Sequence, residues 1–293
     1  MRIFHIQYAS NLFVHQNTSW KHAQKLLTVG KAPNLALLGN IGNTQSQKTK
    51  DFIRWCSDNW QHVYCVPGPC ELRENDHLFG IFKKVPKNVT ILDQTTYRPD
   101  PNLLMLGCPL WSSYGTQIAQ TDWSEAERFF LAFKNPNTIK NWHEGDLEFL
   151  YDQIRSSYAS YGPTQKILLL THHVPHRNFL PSMPGISSRQ IMLHDGNIHS
   201  LFGPNVIGCL SGAGGGSITG FHGRNRAWCG VNAAFQGPNM VPNKQYRPDL
   251  TASFPLDLYP PEAEPSSPRK RGSILDILPR PQLAVSHAYP VLQ

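Results

Sequence analysis

The chain has 293 residues, is 40% hydrophobic, and carries 27 lysines and arginines against 20 aspartates and glutamates, a formal net charge of +7. That length is enough for one large α/β domain with an appendage, and no apolar run of about 18 residues is present to span a membrane as a helix. The six cysteines (Cys56, Cys65, Cys70, Cys108, Cys209 and Cys229) lack CxxC spacing, which excludes a zinc ribbon and a secreted disulfide framework and leaves buried thiols as the expectation.

The first residues do not show the charged-then-apolar pattern of a secretion signal, so a soluble, intracellular protein away from membranes is expected. The positive charge calls for an anionic partner, but no arginine-rich helix, zinc finger or aromatic-basic repeat accompanies it, so nucleic acid is a subordinate expectation.

Short apolar runs that read as strands follow one another at 2–6, 34–38, 62–66, 89–92, 103–106, 166–171, 205–210 and 226–231. Helical patterns lie between them. Ser19 is placed to cap a helix through Leu27, and Phe52, Cys56 and Trp60 recur at i, i+4 and i+8. Leu147, Leu150, Tyr151 and Ile154 mark a third helix over 143–157. Such alternation predicts a layered α/β domain over residues 1–253, with ligand sites on the loops that follow the strands. From Phe254 onward prolines crowd the sequence, and residues 254–293 read as an extended tail. Within it Ile274, Leu275, Ile277 and Leu278 offer an apolar stripe for docking on a protein partner.

Five motifs sit at the predicted strand ends: IQYASNL around Tyr8 and Ser10, LLGNIGN around Asn40, VPGPCEL with Pro69, Cys70 and Glu71, LLLTHHVP with His172, and CLSGAGGGS with Ala213 and Gly215. In order and spacing they resemble the five metal-binding blocks of the calcineurin-like metallophosphoesterases: DxH, GD, GNHE, TH and GHxH. The resemblance implies the fold of that family, two packed mixed β-sheets flanked by helices. It also implies a centre of two metal ions, which needs carboxylates and imidazoles converging from several loops.

The residues standing at those positions depart from the pattern. Tyr8 and Ser10 replace aspartate and histidine, Asn40 replaces the bridging aspartate, Pro69 and Cys70 replace asparagine and histidine, and Ala213 and Gly215 replace both final histidines. His172 and Glu71 match. No catalytic residue, metal or cofactor is therefore expected, and the motif residues form a vestigial site. The expected function is a non-catalytic structural or interaction subunit of a larger assembly, such as a virion or ribonucleoprotein, with protein partners reached through the tail.

Two alternatives are retained. One is a pseudoenzyme that binds phosphate or a nucleotide through the backbone N–H groups of Gly212, Gly214, Gly215 and Gly216. The other is a phosphoesterase with a remodelled one-metal or metal-free site using His172, Glu71 and Cys70, with Cys70, His172 and His222 as the ligands of a metal if one is held. His172 and His173, adjacent at a strand end, are expected to face opposite ways.

Overall fold

The structure, a computed structural model, describes residues 2–16, 19–72, 85–111, 136–175, 201–212, 217–222, 227–236 and 241–257. The chain divides into two units, Met1–Leu258 and Tyr259–Gln293. The second unit, which holds Ile274, Leu275, Ile277 and Leu278, lies outside the described residues.

In chain order the first unit runs β1 (Ile3–Ala9), α1 (Trp20–Gln24), β2 (Asn34–Leu38), α2 (Gln47–Asn59), β3 (His62–Val66), α3 (Pro69–Leu72), β4 (Val89–Ile91), β5 (Thr95–Asp100) and β6 (Leu103–Cys108). It continues with α4 (Pro136–Tyr161), β7 (Lys166–Thr171), β8 (Val206–Ser211), β9 (Ser217–His222), β10 (Ala227–Asn232), β11 (Phe235–Gln236), β12 (Val241–Pro242) and β13 (Thr251–Pro255).

The strands form two large sheets and a two-stranded one. The first has the order β13-β1-β2-β3-β4 and the second β5-β6-β7-β8-β10-β9. Each is mixed. In the first, β1 to β4 run parallel and β13 is antiparallel to β1. In the second, β6, β7, β8 and β10 run parallel between antiparallel edge strands.

Alternation of side chains along each strand sends one set of residues between the sheets and the other beneath the helices. Ile6, Tyr8, Ala36, Leu38 and Tyr64 of the first sheet pack with Leu103, Met105, Leu168, Leu170 and Leu210 of the second. The intervening residues face helices on both sides, so the central strands read as continuous apolar runs. Leu35, Leu37 and Val63 share a cluster with Phe52, Ile53 and Cys56 of α2. Leu104, Leu106, Ile167 and Leu169 share another with Leu150 and Ile154 of α4. Four layers result, helix on sheet on sheet on helix.

Ser19 caps α1 as its sequence predicts, its hydroxyl accepting the His22 N–H at 3.2 Å. One expectation is corrected. The folded unit does not stop at residue 253, because β13 continues to Pro255 and buries Phe254 and Leu256 between the sheets. Pro255 is tolerated as the last residue of an edge strand, where a missing N–H breaks no ladder.

Candidate functional site

The parallel strands of both sheets end on the same side, and the loops beyond β1, β2, β3, β7 and β8 meet there. Their backbone is bent hard. Asn11, Phe13 and Asn40 all have positive φ, between 43° and 53°, a region that favours glycine and asparagine and costs a Phe of order 1–3 kcal/mol.

At the centre stands Glu71, buried. Its Oε2 accepts the N–H groups of Asn40 (2.9 Å) and Gly68 (2.8 Å), and its Oε1 those of Ile41 (2.7 Å) and Gly42 (3.0 Å). Burial pushes this carboxyl above its ordinary value and the four N–H donors pull it back. All four partners are donors, which is the environment of a carboxylate and leaves a carboxyl proton with nothing to bond among them.

Asn40 is committed in the same way. Its Oδ1 accepts the Cys70 N–H at 2.9 Å, and its Nδ2 donates to Asn11 Oδ1 at 3.1 Å while facing His172 Nε2 at 3.4 Å. His172 is buried, and its Nδ1 lies 2.7 Å from the Leu38 carbonyl oxygen. A carbonyl only accepts, so the proton is on Nδ1 and the ring presents Nε2 as its lone pair.

The close fit requires glycines. A Cβ on Gly39, whose φ is +80°, would overlap the His172 ring, and one on Gly68 would approach Asn40 N at 2.8 Å and His172 Cε1 at 3.1 Å.

The sequence-predicted residues thus separate into two groups. Asn40, Glu71, His172 and the backbone of Cys70 are brought together; Tyr8 and Ser10 are directed elsewhere. Tyr8 points into the core between the sheets, edge-on to Trp228 at 6.0 Å. Its hydroxyl has no hydrogen-bond partner among the described residues, and burial pushes its pKa up. Ser10 donates to the Gly212 carbonyl at 2.6 Å and lies 3.2 Å from the Asn232 carbonyl. Pro69 opens the short α3, a position where its missing N–H is not needed. Ala213, Gly214, Gly215 and Gly216 lie outside the described residues, as does the side chain of His222.

Two expectations are corrected. The Gly212 N–H is not presented to an anion: it donates to the His172 carbonyl at 2.9 Å. The Cys70 side chain belongs to the apolar cluster beneath α2; the candidate metal set Cys70, His172 and His222 includes a side chain outside the described residues, among which no three His, Cys, Asp or Glu side chains are grouped to hold a metal ion. His172 and His173 do not face apart, because β7 ends at Thr171 and strand alternation ends with it. Their rings meet edge-on at 4.7 Å, and Trp111 packs on His173 at 5.5 Å.

Sequence reasoning missed Asn11 and a second buried group. Asn11 falls inside the IQYASNL motif but at none of its ligand positions, and its only signal is tolerance of positive φ. On α4, Asp146 accepts the Trp111 N–H (3.3 Å) and the Gln94 amide (3.0 Å), and His143 bonds the Trp111 carbonyl. Burial pushes the Asp146 carboxyl up to about 7 and the His143 imidazole down.

The fold family implies two metal ions here, and the residues present do not fit them. Both oxygens of the one central carboxylate point at N–H dipoles, which repel a cation. Among the described residues of these loops the Asn40 amide is neutral and its oxygen is taken, and the lone pair of His172 Nε2 faces the Asn40 amide nitrogen.

No family model matches the chain. The structure resembles that of a phosphopantetheinyl hydrolase from Mycobacterium tuberculosis, with a TM-score of 0.54 and 12% identity over 78% of this chain and 88% of that one. The fold is that of the calcineurin-like metallophosphoesterases. A dimetal phosphatase from Danio rerio aligns with a TM-score of 0.46 at 12% identity, over 82% of this chain and 89% of that one. In sequence, the chain is similar to an uncharacterized protein, L509, of Acanthamoeba polyphaga mimivirus, 23% identical over 169 residues. That match spans 50% of this chain and 58% of its relative. Among the described residues no helix of this metallophosphoesterase fold is long and apolar enough to cross a membrane.

Proposed function

We propose that this chain is a non-catalytic protein of the metallophosphoesterase fold and serves as an interaction subunit of a larger assembly. One observation carries the reading: Glu71, the carboxylate at the meeting point of the loops, spends both oxygens on four backbone N–H groups. A two-metal hydrolase needs anionic oxygens and imidazoles aimed into open space, so that cations bind and activate water. Here the side chains at Ser10, Asn40, Glu71 and His172 are turned inward to tie the loops to one another. What remains is a rigid framework that presents surfaces. The apolar residues of the tail, Ile274 to Leu278, supply a contact for a protein partner. The sequence likeness to a mimivirus protein is the ground for including a virion among the assemblies.

The test is metal content together with turnover. The protein is purified from medium supplemented with manganese, zinc and iron, bound metal is measured by plasma mass spectrometry, and hydrolysis of p-nitrophenyl phosphate is followed with and without EDTA. The expected result is metal far below one equivalent per chain and no EDTA-sensitive hydrolysis. Two equivalents with EDTA-sensitive turnover would overturn the proposal.

A further inference from the structure

Among the described residues the excess of positive charge lies on one layer. Residues 19–59 carry Lys21, Lys25, Lys31, Lys48, Lys50 and Arg54, all exposed, against two carboxylates, Asp51 and Asp58. In the other described residues lysines and arginines do not exceed aspartates and glutamates. This is the layer of α1 and α2, which covers the outer face of the first sheet.

In the middle of that charge lies an indole at the surface. Trp20, 40% exposed, meets Phe52 edge-on at 6.4 Å and Trp55 edge-on at 6.5 Å. A lone exposed aromatic needs no explanation, but this one is pinned. With the Gln24 amide oriented by its hydrogen bonds, its oxygen accepts Trp20 Nε1–H at 3.1 Å and Trp55 Nε1–H at 3.2 Å. One acceptor holds both indoles, so Trp20 keeps its orientation without a ligand.

The flanking charges follow from helix geometry. Lys21 and Lys25 are four residues apart beside Trp20, and Lys48 lies two turns before Trp55 on the same side of α2. Asp51 accepts from Gln47 at 2.8 Å on the outer face of α2.

We infer that the α1–α2 face binds single-stranded nucleic acid, with Trp20 as a base-stacking surface and Lys21, Lys25 and Lys48 as phosphate contacts. A fixed aromatic face bordered by cations is what backbone-tracking, sequence-tolerant recognition requires. The chemistry distinguishes this from capture of a proline-rich peptide in an aromatic groove. Both indole N–H groups are occupied by Gln24, so neither indole has a donor left for the carbonyls of a proline-rich peptide, and what the face offers is π-surface beside cations. The inference stands apart from the loops around Glu71 and does not depend on their being catalytically silent.

The experiment titrates full-length protein into a fluorescein-labelled oligothymidylate of about twelve nucleotides and follows anisotropy. With three phosphate contacts on a single strand, affinity should fall about twentyfold between about 50 mM and about 200 mM salt. Trp20→Ala should weaken binding about tenfold or more and Trp20→Phe should restore most of it. Lys21→Ala with Lys25→Ala should flatten the salt dependence. Circular dichroism establishes that each variant is folded. Absence of binding at about 100 µM protein in low salt, affinity unchanged by Trp20→Ala, or binding of a proline-rich peptide in place of the oligonucleotide would overturn the inference.

Discussion

His172 Nδ1–H donates to the carbonyl oxygen of Leu38 at 2.7 Å, so the imidazole ties the end of β7 to the end of β2 and joins the two sheets. Removing it leaves a buried carbonyl without its side-chain partner, which costs about 1–3 kcal/mol, and opens a cavity besides. His172→Ala is therefore expected to lower stability by about 2–4 kcal/mol. Urea denaturation followed by tryptophan fluorescence checks it; a loss below about 0.5 kcal/mol would show that the strut carries no stability.

Glu71→Gln tests the carboxylate more directly. An amide keeps one acceptor oxygen but turns an NH₂ group toward two backbone N–H donors. At least two charge-assisted hydrogen bonds are lost, and a destabilisation of about 3 kcal/mol or more is expected. The midpoint of urea unfolding reads it. A variant as stable as the parent would mean that the four N–H groups find other partners.

Gly212→Ala should be among the most damaging substitutions in the chain. The added Cβ would overlap the Leu38 carbonyl oxygen and reach Ser10 Cβ at 2.8 Å. Backbone must move to accommodate it, at about 3 kcal/mol or more. Gly203→Ala is the control: its Cβ would meet Asn205 Oδ1 at 3.7 Å, an ordinary contact, and a change within about 0.5 kcal/mol is expected. Thermal melts of the two variants against the parent decide the matter.

Asp146 predicts a pH dependence. Its folded pKa of about 7 lies above its ordinary value of 3.8 because burial disfavours the charged form. The folded state then holds a proton that the unfolded state has released, and stability falls as pH rises between those two values. This contribution is fully present below about pH 4 and gone above about pH 7; its size by linkage is about 4 kcal/mol at most. Asp146→Asn removes the titration. The stability of the parent relative to the variant should therefore decline from about pH 4 to about pH 7 and then level. A difference independent of pH over that window would refute the assignment.

The strands legible in the sequence are those buried on both faces. Asn34–Leu38, His62–Val66 and Lys166–Thr171 have the predicted boundaries, since each is an unbroken apolar run between helices and the opposite sheet. The strands that sequence reading missed in the two large sheets, β5, β9 and β13, are all edge strands. β5 alternates half-buried and exposed residues and contains Pro99, and β13 ends in Pro255, so local composition points away from strand in both.

The site divides similarly. Asn40, Glu71 and His172 could be found because they sit in motifs, but what Glu71 binds depends on how the backbone of residues 40–42 turns, which no side-chain pattern encodes. The clamp of His143 and Asp146 on Trp111 joins residues 32 and 35 positions apart. Helical periodicity marks α4 yet says nothing of the loop it will meet.

The pairing of β1 with β13 has a consequence for biosynthesis. Phe4 lies opposite Phe254 and Ile6 opposite Ala252, so β1 is sealed on one side by β13, a strand synthesised long after it. Until that strand emerges, β1 has a bare edge on which strands of other chains can pair. Nascent or truncated chains that end before Thr251 should accordingly draw on chaperones, and the yield of native protein should depend on how long that edge stays open.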